Sequence, residues 1–175
     1  MRETVRYGFI LGLICLIAGG LLAGMNSLTK ARILAQTQEE EESSLKEVIP
    51  TATHFEPVKS KEGEVIYYKA HDKEGRLVGV AFKTSGKGYS STVETMVGMK
   101  IDGTITTIKI LNHNETPGLG ARVVEPAFTG QFTNKNIQSL NEIQAVTGAT
   151  ISSKAVIDSV KNKTGEIQEL IKNEK

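Results

Sequence analysis

Two short stretches hold the residue types from which chemistry can be built. The first, His113-Asn114-Glu115-Thr116-Pro117-Gly118-Leu119-Gly120, joins an imidazole, a carboxylate and a hydroxyl to two glycines. Gly118 and Gly120 allow backbone conformations and close approaches that a Cβ would block. Such a loop can turn main-chain N–H groups toward a phosphate. His113 and Glu115 can also be read as an acid–base pair. Taken alone, the stretch fits best as a conformationally demanding turn with solvated polar residues.

The second stretch, Thr147-Gly148-Ala149-Thr150-Ile151-Ser152-Ser153, sits just before a helix predicted to begin near Ser153. A phosphate at that point gains from the unpaired N–H groups and from the helix dipole. The small neighbours Gly148 and Ala149 leave room for a bulky substituent on Thr150. Ser152 or Ser153 would equally make an ordinary N-cap with no ligand. The residue types alone leave these two readings level.

The elements that position both stretches follow from the period of the apolar residues. Residues 64–71 and 76–83 alternate about the turn Asp72-Lys73-Glu74-Gly75, as a hairpin does. A second hairpin is clearer: Val93, Thr95, Val97, Met99 and Ile101 alternate with Glu94, Gly98 and Lys100 up to Asp102-Gly103, and 104–111 follows. The glycine loop comes next, then a short helical patch over 125–132. A final helix carries Val156, Val160, Ile167 and Ile171 at helical spacing. The predicted class is α+β: one N-terminal transmembrane helix, then an antiparallel-sheet domain with a C-terminal helix.

Residues 7–29 contain no charge, and as a helix they rise about 35 Å, enough for a hydrocarbon core of about 30 Å. Arg2 and Arg6 ahead of this run also suit a signal peptide. The run is long for that, lacks a clear A-x-A site and is followed by Lys30 and Arg32, so an anchor is expected. Bulky Ile14 before Cys15 argues against a lipid-attachment cysteine. The pairs Gly8/Gly12 and Gly20/Gly24 would let another helix approach. Helix formers over 30–46 suggest that the helix continues as a polar stalk, which Pro50 should end. The expected divisions are therefore an anchor with a short start ahead of it at 1–29, a stalk and connector at 30–62, and a binding domain at 63–175.

Composition removes several classes of function. The 21 Lys plus Arg nearly balance the 20 Asp plus Glu, so no global basic field exists for nucleic acid. One cysteine excludes an intramolecular disulfide and any cluster held by several thiolates of this chain. The three histidines lack paired zinc spacing, and no metal site is expected.

The apolar N-terminal span, the H-x-E-T-P-G-L-G loop and the T-G-A-T-I-S-S segment occur in that order, the two motifs about thirty residues apart. This arrangement resembles the family of the G subunit of the Rnf ion-translocating electron-transport complex. It is also similar to the C subunit of the sodium-translocating NADH:quinone oxidoreductase. The resemblance covers nearly the whole chain and implies an FMN-binding fold, with the N-terminus cytoplasmic and the domain outside the cell (inner) membrane, crossed once. It implies that a flavin transferase joins FMN covalently, by a phosphoester bond, to Thr150, making the chain a flavoprotein and phosphoprotein. Thr147, Gly148 and Ala149 would shape that turn. Glu115, Thr116, Gly118 and Leu119 are expected to contact the ring, and Ser153 to help hold the phosphate; no residue is expected to be catalytic.

The function so implied is electron transfer between ferredoxin and NAD, coupled to sodium or proton movement. The other membrane and cytoplasmic subunits of the complex would be the partners, and no turnover is expected of this chain by itself. One departure stands out: the attachment motif usually has an aspartate where this chain has Gln144. Gln144 is the sequence support for a different class of function, an anchored structural or sensory module without flavin. The compact insert before the glycine loop favours the Rnf family over the quinone-reductase one.

Overall fold

The computed structural model describes residues 2–173, so Met1, Glu174 and Lys175 of the expected anchor and binding domain lie outside the described residues. The chain divides into two units, Met1–Glu42 and Ser43–Lys175. A single helix, α1 (Arg2–Val48), supplies the described residues of the first unit and the beginning of the second.

Within the first unit, Glu3–Lys30 is the one stretch among the described residues long and apolar enough to cross a membrane. Its large side chains point outward all round: Phe9 is 75 % exposed and Leu16 73 %. A helix apolar on every side and packed against nothing in its own unit needs an apolar medium around it.

The second unit is built on a five-stranded antiparallel meander in the order β1-β2-β3-β4-β5. The strands are β1 (His54–Lys59), β2 (Val65–His71), β3 (Leu77–Lys87), β4 (Thr92–Lys100) and β5 (Ile105–Asn112). Both hairpins read from the sequence are present. Asp72 accepts the N–H groups of Glu74 and Arg76 with one carboxylate oxygen, and Asp102 likewise accepts that of Thr104. These side-chain turns satisfy backbone donors that the reversal of the chain leaves free. β1 lies in the stretch read from the sequence as irregular connector. Pro57 within it suits an edge strand, where a missing N–H costs no ladder bond, and β1 pairs only with β2.

Each face of the sheet buries a different segment. On one face Val80, Phe82, Val97 and Met99 meet Val156, Val160 and Ile167 of the long helix α3 (Thr150–Asn173), together with Phe128 and Phe132. Phe128 belongs to the single-turn helix α2 (Pro126–Thr129), which with the 3-10 turn at Gly130–Phe132 forms the helical patch expected there. On the other face Leu45, Val48, Ile49 and Ala52 cover Ala70, Ala81 and Met96. The last turn of α1 is tied down: Thr106 donates its hydroxyl to the Val48 carbonyl at 2.5 Å, and Lys109 pairs with Glu47. The contact is so close that a Cβ on Gly98 would lie 2.3 Å from the Val48 carbonyl oxygen.

A chain beginning at Ser43 should therefore unfold cooperatively, whereas one beginning at Thr53 exposes Ala70, Ala81 and Met96 and melts lower. In the Ser43 chain, Gly98→Ala should cost about 1–3 kcal/mol, since backbone rather than a flexible tip must move. Urea titration followed by circular dichroism measures this, and an unchanged midpoint would contradict the close packing of the Val48 carbonyl on the sheet.

Candidate functional site

Three chain segments meet where β3, β5 and α3 approach one another: the β3–β4 turn, the glycine loop after β5, and the first turn of α3. The link between them is Glu115, which is 5 % exposed. One oxygen, Oε1, accepts the N–H groups of Ser90 at 3.0 Å and Ser91 at 2.8 Å and the Ser91 hydroxyl at 3.3 Å. The other, Oε2, accepts the Ser152 hydroxyl at 2.8 Å. Ser91 in turn accepts the Asn114 N–H at 2.8 Å, and Ser152 accepts the Tyr89 N–H at 3.4 Å. Neither Gly88 nor Gly120 has room for a side chain: a Cβ would lie 2.5 Å from Oε1 at the first and 2.1 Å from Oε2 at the second.

Burial alone pushes the Glu115 carboxyl up, because an ion leaves water. The hydrogen bonds from Ser152, Ser91 and Ser90 outweigh that and hold it below its ordinary 4.5. The side chain is thus an ionised structural acceptor. It is not paired with His113 as an acid–base couple; the link between them is the Glu115 N–H donating to His113 Nδ1 at 3.3 Å.

The helix expected from about Ser153 begins earlier, at Thr150. Gly148, at φ +83°, reverses the chain in a conformation that residues with a Cβ rarely adopt. The Ala149 carbonyl then accepts the Ser153 N–H at 2.8 Å. Ser152 and Ser153 consequently lie inside the first turn instead of capping it. Both are buried; the Ser153 hydroxyl accepts the Val146 N–H at 3.1 Å, while Ser152 serves Glu115. Thr150 is exposed at the first helical position, beside amides that have no partner within the helix. Arg122, in the 3-10 turn Gly120–Val124, braces the preceding residues by donating to the Thr147 carbonyl at 3.0 Å while paired with Glu125.

Beside Thr150 lies a cavity of about 340 Å³, lined by Gly148 to Ser152 together with Tyr89, Thr116, Leu119 and Gly120. Small-molecule sites run from about 300 Å³ upward. Three of its side chains are large, apolar and strongly exposed: Tyr89 at 74 %, Leu119 at 52 % and Ile151 at 55 %. Of the residues singled out from sequence, Thr150, Gly148, Ala149, Thr116 and Leu119 line this space. Thr147 is adjacent and exposed, and Gly118 faces a neighbouring shallow groove with Pro117 and Arg122. Glu115 and Ser153 stand behind the wall.

Sequence reasoning misses Tyr89, Ser90, Ser91, Ser152 as a ligand of Glu115, and Arg122. The one usable signal for them is Gly86-Lys87-Gly88-Tyr89-Ser90-Ser91, turn-forming residues around an aromatic. Gln144 is exposed, and its backbone is clasped on both sides by the Gln131 amide. Among the described residues no group of His, Cys, Asp or Glu is placed to hold a metal ion.

Residues 88–164 match the family model of the FMN-binding domain, and residues 1–48 match that of the RnfG N-terminal region. The chain is 34 % identical to the G subunit of the ion-translocating oxidoreductase complex of Methanosarcina acetivorans, over 91 % of this chain and 92 % of that one. It is 33 % identical to the G subunit of the Na(+)-translocating ferredoxin:NAD(+) oxidoreductase complex of Acetobacterium woodii, over 91 % and 89 %. Among solved structures, the crystal structure of Shewanella oneidensis NqrC matches with a TM-score of 0.48 and 20 % identity, over 70 % of this chain and 74 % of that one.

The buried carboxylate gives a direct expectation for stability. Glu115→Ala leaves the Ser90, Ser91 and Ser152 donors without their acceptor, at a cost of about 1–3 kcal/mol for each donor that water cannot reach. In the wild type the folded pKa lies below the unfolded one. The stability from this ionisation is therefore full above the ordinary 4.5 and is lost as pH falls from there through the lower folded value. Glu115→Gln should flatten that part of the stability–pH curve, and urea midpoints taken from pH 6 down to about 3 measure it. Parallel curves would show that Glu115 titrates alike in both states.

Proposed function

We propose a function that proceeds from one premise: the chain belongs to the family of G subunits of ion-translocating oxidoreductase complexes. It is a membrane protein and the FMN-binding electron-transfer component of an Rnf-type complex, with the other subunits of that complex as its partners. In our reading the FMN is covalent, esterified through its phosphate to the Thr150 hydroxyl by a flavin transferase. α1 crosses the membrane once, with the FMN-binding unit on the extracytoplasmic side. The chain has no turnover alone.

The observation that carries the covalent reading is the exposed Thr150 hydroxyl at the entrance of α3, opening on a cavity with apolar walls. These residues fit FMN. The first-turn amides and the positive end of α3 favour a phosphate at Thr150. Leu119, Ile151 and Tyr89 would offer apolar surface to a ring, and Thr116 would add a hydroxyl to the same lining. When bound, FMN supplies transfer of one or two electrons.

The residues of the chain supply position. Gly148 and Ala149 set the turn that presents Thr150, and Arg122 holds the Thr147 carbonyl so that this turn keeps its shape. Gly118 lets the loop reverse ahead of Leu119. Ser153 acts by fixing Val146 behind Thr150, and Glu115 acts through the amides and hydroxyl that it binds. A phosphoester would keep the cofactor from diffusing away on the far side of the membrane, where the cell cannot recover it. Gln144 is exposed, and its backbone is held by the Gln131 side chain.

Intact-mass measurement of the chain produced with its transferase tests this. The wild type should carry the mass of one FMN and fluoresce after denaturing electrophoresis, and Thr150→Val should lose both. One FMN on each would relocate the attachment to another hydroxyl, and none on the wild type would refute covalent binding.

A further inference from the structure

We infer that Tyr89 provides the aromatic wall on which the flavin ring rests, an inference that depends on the covalent FMN reading above. The Tyr89 side chain is 74 % exposed, yet it shares a cavity with Thr150, Leu119 and Ile151. An exposed aromatic on a loose loop would be ordinary surface. This one stands on a backbone held from several directions.

The Tyr89 N–H donates to Ser152 Oγ at 3.4 Å, and the next two amides donate to Glu115. On the other side the Gly88 N–H donates to the Ser91 carbonyl at 2.8 Å, closing the turn. Gly88 packs against the Glu115 carboxylate so tightly that no side chain fits there. Ser152, the acceptor for Tyr89, lies in the same helical turn as Thr150. The ring of Tyr89 and the hydroxyl of Thr150 are thus mounted on one hydrogen-bonded unit, and the spacing between the two mounts is fixed by Glu115 and Ser152.

Three exposed apolar side chains around one hollow gain most from a flat apolar guest. Their own surface leaves water, and an offset aromatic stack adds to that burial. A guest tied to Thr150 meets Tyr89 within one molecule, at high effective concentration, so a weak stack suffices to hold it. Leu119 and Ile151 can supply burial, but of the three only Tyr89 can stack. A tyrosine in contact also quenches flavin emission, because the phenol lends an electron to the excited ring and takes it back. A phenylalanine would keep the stack and lose the quenching.

The experiment uses the full chain in detergent, matured with its transferase, as wild type, Tyr89→Phe and Tyr89→Ala. Intact mass and denaturing-gel fluorescence report attachment, while native emission intensity and anisotropy report the ring. We expect one FMN on all three. Native emission should be weak in the wild type and bright in both variants. Anisotropy should hold in Tyr89→Phe and fall in Tyr89→Ala, where the stacked population drops by about 2- to 10-fold. Wild-type emission and anisotropy in a fully loaded Tyr89→Ala would overturn the inference while leaving covalent FMN intact. Loss of FMN from Tyr89→Ala alone would also overturn it, since the side chain would then act in attachment. A wild type without FMN would remove the reading on which the inference rests, and the inference with it.

Discussion

The site depends on one buried carboxylate that must remain charged. Glu115 leaves water on folding, and the only compensation available is a full set of donors. It finds them in the β3–β4 turn, 24 and 25 residues away in sequence, and in the first turn of α3, 37 residues away. Because the charge is costly when any donor is missing, the three segments are fixed together or not at all. The two glycines against the carboxylate have the same origin, since the oxygens occupy the space that side chains would need.

This tie brings an exposed threonine and an exposed tyrosine to the lining of one hollow, while neither belongs to the buried core. Rigid supports carrying solvent-facing groups suit a cofactor that must be presented to electron partners and still kept in place. The sheet extends that rigidity through the unit. α3 covers one face, and the last turn of α1 with residues 49–52 covers the other, so both faces of the sheet are buried.

The membrane helix has a different physics. Over Glu3–Lys30 its stability needs only internal backbone hydrogen bonds and an apolar surrounding, and its outward leucines and isoleucines supply the match. Family membership joins these parts in one role, that of a membrane-held FMN carrier within an ion-translocating oxidoreductase.

Much of this was legible in the residues because it is local. The long apolar N-terminal helix follows from an uncharged run of sufficient length, the hairpins from alternation about Asp72 and Asp102, and α3 from the spacing of Val156, Val160 and Ile167. The family stood out through its motifs, and with it the proposal for Thr150. Proximity across the chain was not legible. Nothing in the period of residues 54–59 distinguishes an edge strand containing Pro57 from a connector, because pairing with β2 alone decides it. The start of α3 depends on the φ of Gly148, which the sequence permits without requiring. The partners of Glu115 lie in segments that periodicity cannot bring together, so its ionised, buried state and the anchoring of Tyr89 are products of the tertiary fold. Local composition determines which elements form. Where buried charge finds its donors is settled only when those elements pack.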